Sequence, residues 1–101
     1  MKPFSDKDPS EVITLGFDYT RILGVGETVT SATWYAEDSD GVAAANILSG
    51  SAVVATPIVK QIVIGGVVGT VYTHRSIAVT SAGRTLVLGN QQRIIAGGYS
   101  D

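Results

Sequence analysis

The chain has 101 residues, one domain's length, with a formal net charge of −2 and no cysteine. Its seven Lys and Arg are scattered rather than gathered into a patch. Phosphate binding needs a concentrated positive field, so no nucleic-acid partner is expected. Without cysteine, neither a disulfide framework nor a thiolate metal site can form. Charged residues are only 16% of the chain and apolar residues 45%, against roughly 25% charged in ordinary globular domains. A domain this small exposes much of its surface. Part of that surface is therefore expected to be apolar, the character of a protein interface.

The start, Met1 to Asp8, is too acidic and broken for a signal peptide. The most apolar stretch, Val53 to Val71, is interrupted by Pro57, Lys60, Gln61 and glycines. It falls short of the run of about 20 apolar residues a membrane helix needs. No membrane partner is expected, and synthesis in the producing cell's cytoplasm is.

In chain order, Asp8-Pro9-Ser10-Glu11 has the spacing of a helix N-cap, limited to one turn by the β-rich Val12-Ile13-Thr14-Leu15. Strands are expected at Val12 to Asp18, Thr28 to Glu37, Ala43 to Leu48, Ala52 to Thr56, Lys60 to Ile64, Thr70 to Thr80 and Thr85 to Ala96. Tyr19 to Gly24 reads as a brief helical turn with Gly24 as its left-handed terminator. Glu37 to Gly41 is a polar turn, Gly65-Gly66 and Gly69 break the chain, and Ser81-Ala82-Gly83-Arg84 is a hairpin. The expectation is one domain over residues 1–101, an all-β, immunoglobulin-like antiparallel sandwich of about seven strands.

Tyr72 follows a glycine turn and fits a tyrosine corner, its hydroxyl turned back to an upstream backbone group. Trp34 would be the matching large core residue. If Tyr72 points inward, so do His74, Ser76 and Ala78. Val71, Thr73, Arg75, Ile77 and Val79 are then left on a face too apolar for water alone. Either that face meets the second sheet and the parity is reversed, or another subunit covers it. Leu86-Val87-Leu88 and Ile94-Ile95 pose the same question.

Chemistry is sparse. His74 is the only histidine, and no Gly-x-Ser-x-Gly elbow supports a hydrolase with Asp18 or Asp40. Asp38-Ser39-Asp40-Gly41 could offer oxygen ligands to calcium, but position 12 of that loop is Ser49 rather than Glu. Gly24-Val25-Gly26 is a fragment of a dinucleotide fingerprint, yet a strand follows it instead of a helix. No cofactor, metal or catalytic residue is expected. Arg75, Arg84 and Arg93, on or beside the last two strands, either pair with carboxylates across a subunit boundary or are solvated strand surface. Arg84 can also brace the hairpin. The residues expected to meet partners are Ile77, Val79, Val87 and Ile95, with Arg75, Arg84, Arg93 and, in the tail from Gly97 to Asp101, Tyr99.

Several segments together resemble a family of short proteins encoded among the structural genes of tailed bacteriophages. They are Lys7-Asp8-Pro9-Ser10-Glu11-Val12, Phe17-Asp18-Tyr19, Leu23 to Trp34, Gly69-Thr70-Val71-Tyr72-Thr73 and Thr80-Ser81-Ala82-Gly83-Arg84-Thr85. The chain departs from the pattern at Leu86-Val87-Leu88-Gly89, where a polar, charged stretch is the rule, and is more apolar from Val42 to Val68. The resemblance implies an immunoglobulin-like virion protein linking fibres to the tail or neck. Its partners would be other virion proteins of tail, neck or fibre, with a homo-oligomer in the assembled particle. Two alternatives stand beside this reading. One is a capsid decoration protein. The other is a carbohydrate- or receptor-binding module, for which Tyr19, Tyr35 and Tyr99 are the plausible exposed aromatics.

Overall fold

The computed structural model describes residues 2–97. Six strands are formed among the described residues: β1 (Ile13–Asp18), β2 (Val29–Glu37), β3 (Leu48–Ala55), β4 (Ile58–Val63), β5 (Val71–Thr80) and β6 (Thr85–Arg93). They make two antiparallel three-stranded sheets, ordered β1-β4-β3 and β2-β5-β6, packed as a β-sandwich. Isolated bridges join Lys7 to Ile94 and Glu37 to Ala43.

The core between the sheets is built from every second residue of each strand, as the two-residue period requires. Leu15 and Phe17 come from β1, Trp34 and Ala36 from β2, Val59 and Val63 from β4, Tyr72 and Ala78 from β5. Phe17 is the hub, its ring 4.8 Å from Trp34 and 5.4 Å from Phe4. Offset and tilted aromatic contacts of this kind add to plain area burial.

The strand expected at Ala43 to Leu48 is not formed. Ala45–Ile47 is a single 3-10 turn. This segment carries the chain from the β2 sheet to the β1 sheet, and Ala44 and Ile47 are buried as it passes. An apolar run that plugs the core between two sheets carries the same composition as a strand. Strand β3 instead starts at Leu48, and the last strand stops at Arg93 rather than Ala96.

Tyr72 is buried, and its hydroxyl accepts the N–H of Val67 at 3.1 Å, the expected turn back to an upstream backbone group. The loop there is tight. At Gly66, with φ of +102°, an added Cβ would lie 2.9 Å from Ile94. The turn at Tyr19 is present, with the Ile22 and Leu23 N–H groups on the Tyr19 carbonyl. Its left-handed residue is Gly26 (φ 74°), not Gly24, whose N–H instead binds the Glu27 carboxylate.

The N-terminal segment runs parallel to β6. Phe4 N–H donates to Gln91 O, Lys7 N–H to Arg93 O and Ile95 N–H to Lys7 O. Lys7 itself is fully buried, which no local pattern in the chain announces. Its ammonium donates to the carbonyls of Gly65 (2.7 Å) and Asp8 (3.0 Å), pinning the chain's start to the β4–β5 loop. Burial pushes its pKa down, opposed by Glu11 and Asp8.

A candidate interaction surface on the β2-β5-β6 sheet

Strand β5 is turned the opposite way from ordinary hydrophobic patterning. Tyr72, His74, Ser76, Ala78 and Thr80 face inward and are buried, while Arg75 and Val79 are exposed and Ile77 is half-buried. The parity read from Tyr72 is the one observed. Each inward polar group has a bonding task, which is what allows it to be there. His74 Nδ1 accepts the Trp34 indole N–H at 3.0 Å. Ser76 accepts the Tyr19 hydroxyl at both Oγ (2.9 Å) and its carbonyl (2.8 Å). Tyr19 is therefore fully buried and no exposed aromatic, a correction to the sugar-binding expectation. Its hydroxyl can leave water only because Ser76 meets it from the opposite sheet.

His74 accepts at Nδ1, so its proton sits on Nε2, which has no hydrogen-bond partner. The Phe4 ring stands edge-on to the imidazole at 5.9 Å. Burial pushes the His74 pKa down to about 4, so the ring is neutral at pH 7.

With the polar residues inside, the solvent face of this sheet carries the apolar ones. Across the three strands, Thr33, Ile77 and Val87 form one row, and Tyr35, Arg75 and Gly89 the next. Tyr35 is 56% exposed, Val87 54% and Val79 40%. The Arg75 stem lies over Gly89, where a Cβ would come within 3.3 Å of it. Its guanidinium pairs with Glu37. Beside that pair is a shallow groove of about 290 Å³, lined by Tyr35, Glu37, Ala43, Thr73, Arg75 and Ile77.

Ile77, Val79, Val87 and Arg75 are thus brought together, and the others expected with them are not. Arg84 forks onto Glu27, with Nε 2.9 Å from Oε2, and also donates to the Ile22 carbonyl. Arg84, the Gly24 N–H and the Thr80 hydroxyl hold the Glu27 pKa down at about 2. That cluster locks the β1–β2 loop to the hairpin, the bracing role. Arg93 reaches Asp6 at 2.7 Å and ties the N-terminal segment to β6. Ile95 lies past the end of β6, half-buried beside Lys7. Tyr99 lies outside the described residues. Tyr35 was missed as part of this face, though alternation from buried Trp34 places it there.

The fold defines a class: a small all-β sandwich module with apolar residues exposed on one sheet face. A family model described as podophage GP4 fiber-tail adaptor protein gp77 matches residues 7–88, and the chain belongs to that family of phage structural adaptors. No curated protein and no solved structure matches the chain.

Proposed function

We propose that this protein is a non-enzymatic adaptor at the neck or tail of a tailed-phage virion, joining fibre to tail through its β2-β5-β6 face. The observation that carries this reading is the inversion of β5. Its polar residues are spent inside, which leaves Tyr35, Ile77, Val79 and Val87 for a neighbour to cover. Burial of such a face contributes roughly 25 cal/mol per Å² of apolar area before the costs of association. Arg75 and Glu37 form a polar rim of the sort that gives an interface its orientation.

The module is immunoglobulin-like in this reading. Sheets β1-β4-β3 and β2-β5-β6 correspond to strands B-E-D and C-F-G of that fold, with Trp34 on C and the tyrosine corner on F. Copies form a homo-oligomeric ring in the particle, and the chain is made in the bacterial host cytoplasm.

Imaging of parent particles made with and without this chain tests the proposal. Loss of fibres from tails that are otherwise complete is expected. Normal fibres in its absence, or hundreds of copies spread over the head, would overturn it. Tyr35→Asp combined with Val87→Asp should act as the absence does while the purified variant keeps its melting temperature.

A further inference from the structure

We propose that the outer edge of β1 receives an extended segment of another virion protein, which adds to the β1-β4-β3 sheet as a fourth strand. The inference rests on the adaptor reading and names how one of its partners is held.

The four sheet edges differ in how they are protected. The β6 edge is covered at its C-terminal end, from Gln91 to Arg93, by the chain's own N-terminal segment. At its start the β2 edge is interrupted by a bulge between Val29 and Ser31, and at its far end the Ala36 carbonyl is taken by the Ala44 N–H. In β3 there is an irregularity between Ser49 and Val53, where Gln61 donates to the Ser49 and Gly50 carbonyls. Strand β1 has none of these devices. It pairs with β4 in unbroken register from Ile13 to Asp18, contains no Pro or Lys, and has no strand on its other side among the described residues.

The hydrogen-bond phase is fixed by Tyr19, whose N–H donates to Pro57 O at 2.9 Å across from it. In an antiparallel pair such residues alternate. Phe17, Leu15 and Ile13 therefore bond to β4, and the N–H and C=O groups of Thr14, Gly16 and Asp18 point away from the sheet. Three such donor–acceptor sets, on alternate residues of an unbroken edge, are a template for main-chain addition. In the strand scheme above, this is the place that strand A takes beside strand B. Here the N-terminal segment runs along the opposite sheet instead.

The occupant is a foreign strand rather than a second copy. The chain's own extended segment is already used in cis on β6. Two β1 edges meeting would centre on Gly16 against Gly16, with no side chains to pack, although cross-strand side-chain pairs are what stabilise a sheet. A foreign segment can set an apolar side chain over Gly16. On this face Ile58 and Ile62 flank Lys60, the residue opposite Gly16, and Ile62 is 44% exposed. The fitting partner is an extended, proline-free stretch with β-branched or apolar residues at every second position.

Amide hydrogen exchange on the whole protein, free and in the assembled tail, reads this directly. In the free chain the Thr14 and Gly16 amides should exchange freely beside slow Leu15 and Phe17. In the tail they should slow about tenfold or more. Unchanged exchange in the tail would overturn the proposal, and protection already present in the free chain at dimer-forming concentration would overturn the foreign occupant. Gly16→Pro removes only an outward N–H, at a φ that is not positive, so it leaves the β1–β4 bonds intact. That variant should lose its strand donor from the tail, and retention at the wild-type level would count against the inference. Particles lacking the chain altogether serve as the separate control. If those keep their fibres it is the adaptor reading that fails, whereas fibreless null particles rescued by Gly16→Pro sink only the strand-addition step.

Discussion

The two faces of β5 make an instructive contrast. The inner one carries a histidine and a serine and is sealed from water; the outer one carries isoleucine and valine and is open to it. Polarity therefore does not sort these residues between inside and outside. What sorts them is whether a bonding partner waits in the core between the sheets. Trp34 and Tyr19 each need a polar group for the N–H or O–H they bury, and β5 supplies one at the right register. The outer residues have no counterpart among the described residues, and under the proposed function the energy available from covering them goes to assembly.

The largest expected test of that contrast is Trp34→Ala. It empties the centre of the Phe17 cluster and leaves His74 without its donor, so a loss of about 4 kcal/mol in urea unfolding is expected. A loss under 1 kcal/mol would mean the inner face is not the organising one. Next comes acid. The folded His74 pKa, about 4, lies below its ordinary 6.5, so the unfolded chain binds the proton first as pH falls. The stabilisation is complete above pH 6.5 and drains away towards pH 4, by at most about 3 kcal/mol. His74→Gln should flatten this part of the curve, and an equally steep curve in that variant would exonerate the histidine. Below the ordinary carboxylate range, protonation of Glu27 and Asp8, both held near 2, removes further stability in the same direction.

Smaller still is Tyr19→Phe, which keeps the ring but leaves buried Ser76 unpaired, for an expected loss of about 1–3 kcal/mol. On the outer face Val87→Thr should change stability by less than about 0.5 kcal/mol. The contrast predicts that this variant is nonetheless impaired in tail incorporation. A clear stability loss with normal incorporation would make Val87 a core residue after all.

The alternation of β-branched residues, read from Tyr72, correctly assigned the two faces of β5 and put the hairpin at Ser81 to Arg84. Alternation is a local property, fixed by a two-residue period. The segment at 43–48 escaped the same reading, because crossing between sheets and lying within one demand the same apolar composition. Tyr19 escaped as well: its burial depends on Ser76, 57 residues away, and no local pattern announces such a partner.

The arginines mark the same boundary. Their number and their place beside the last two strands are plain in the chain. That Arg84 would find Glu27 and Arg93 would find Asp6 followed only from how the loops and the N-terminal segment came to rest. By itself the sequence determined an all-β chain with a surplus of apolar surface and one inverted strand, since composition and periodicity act residue by residue. Which edge is covered, which is left bare at β1 among the described residues, and which apolar face stays exposed were decided by tertiary structure. Those outcomes depend on contacts between residues far apart in the chain, whose pairing no single segment encodes.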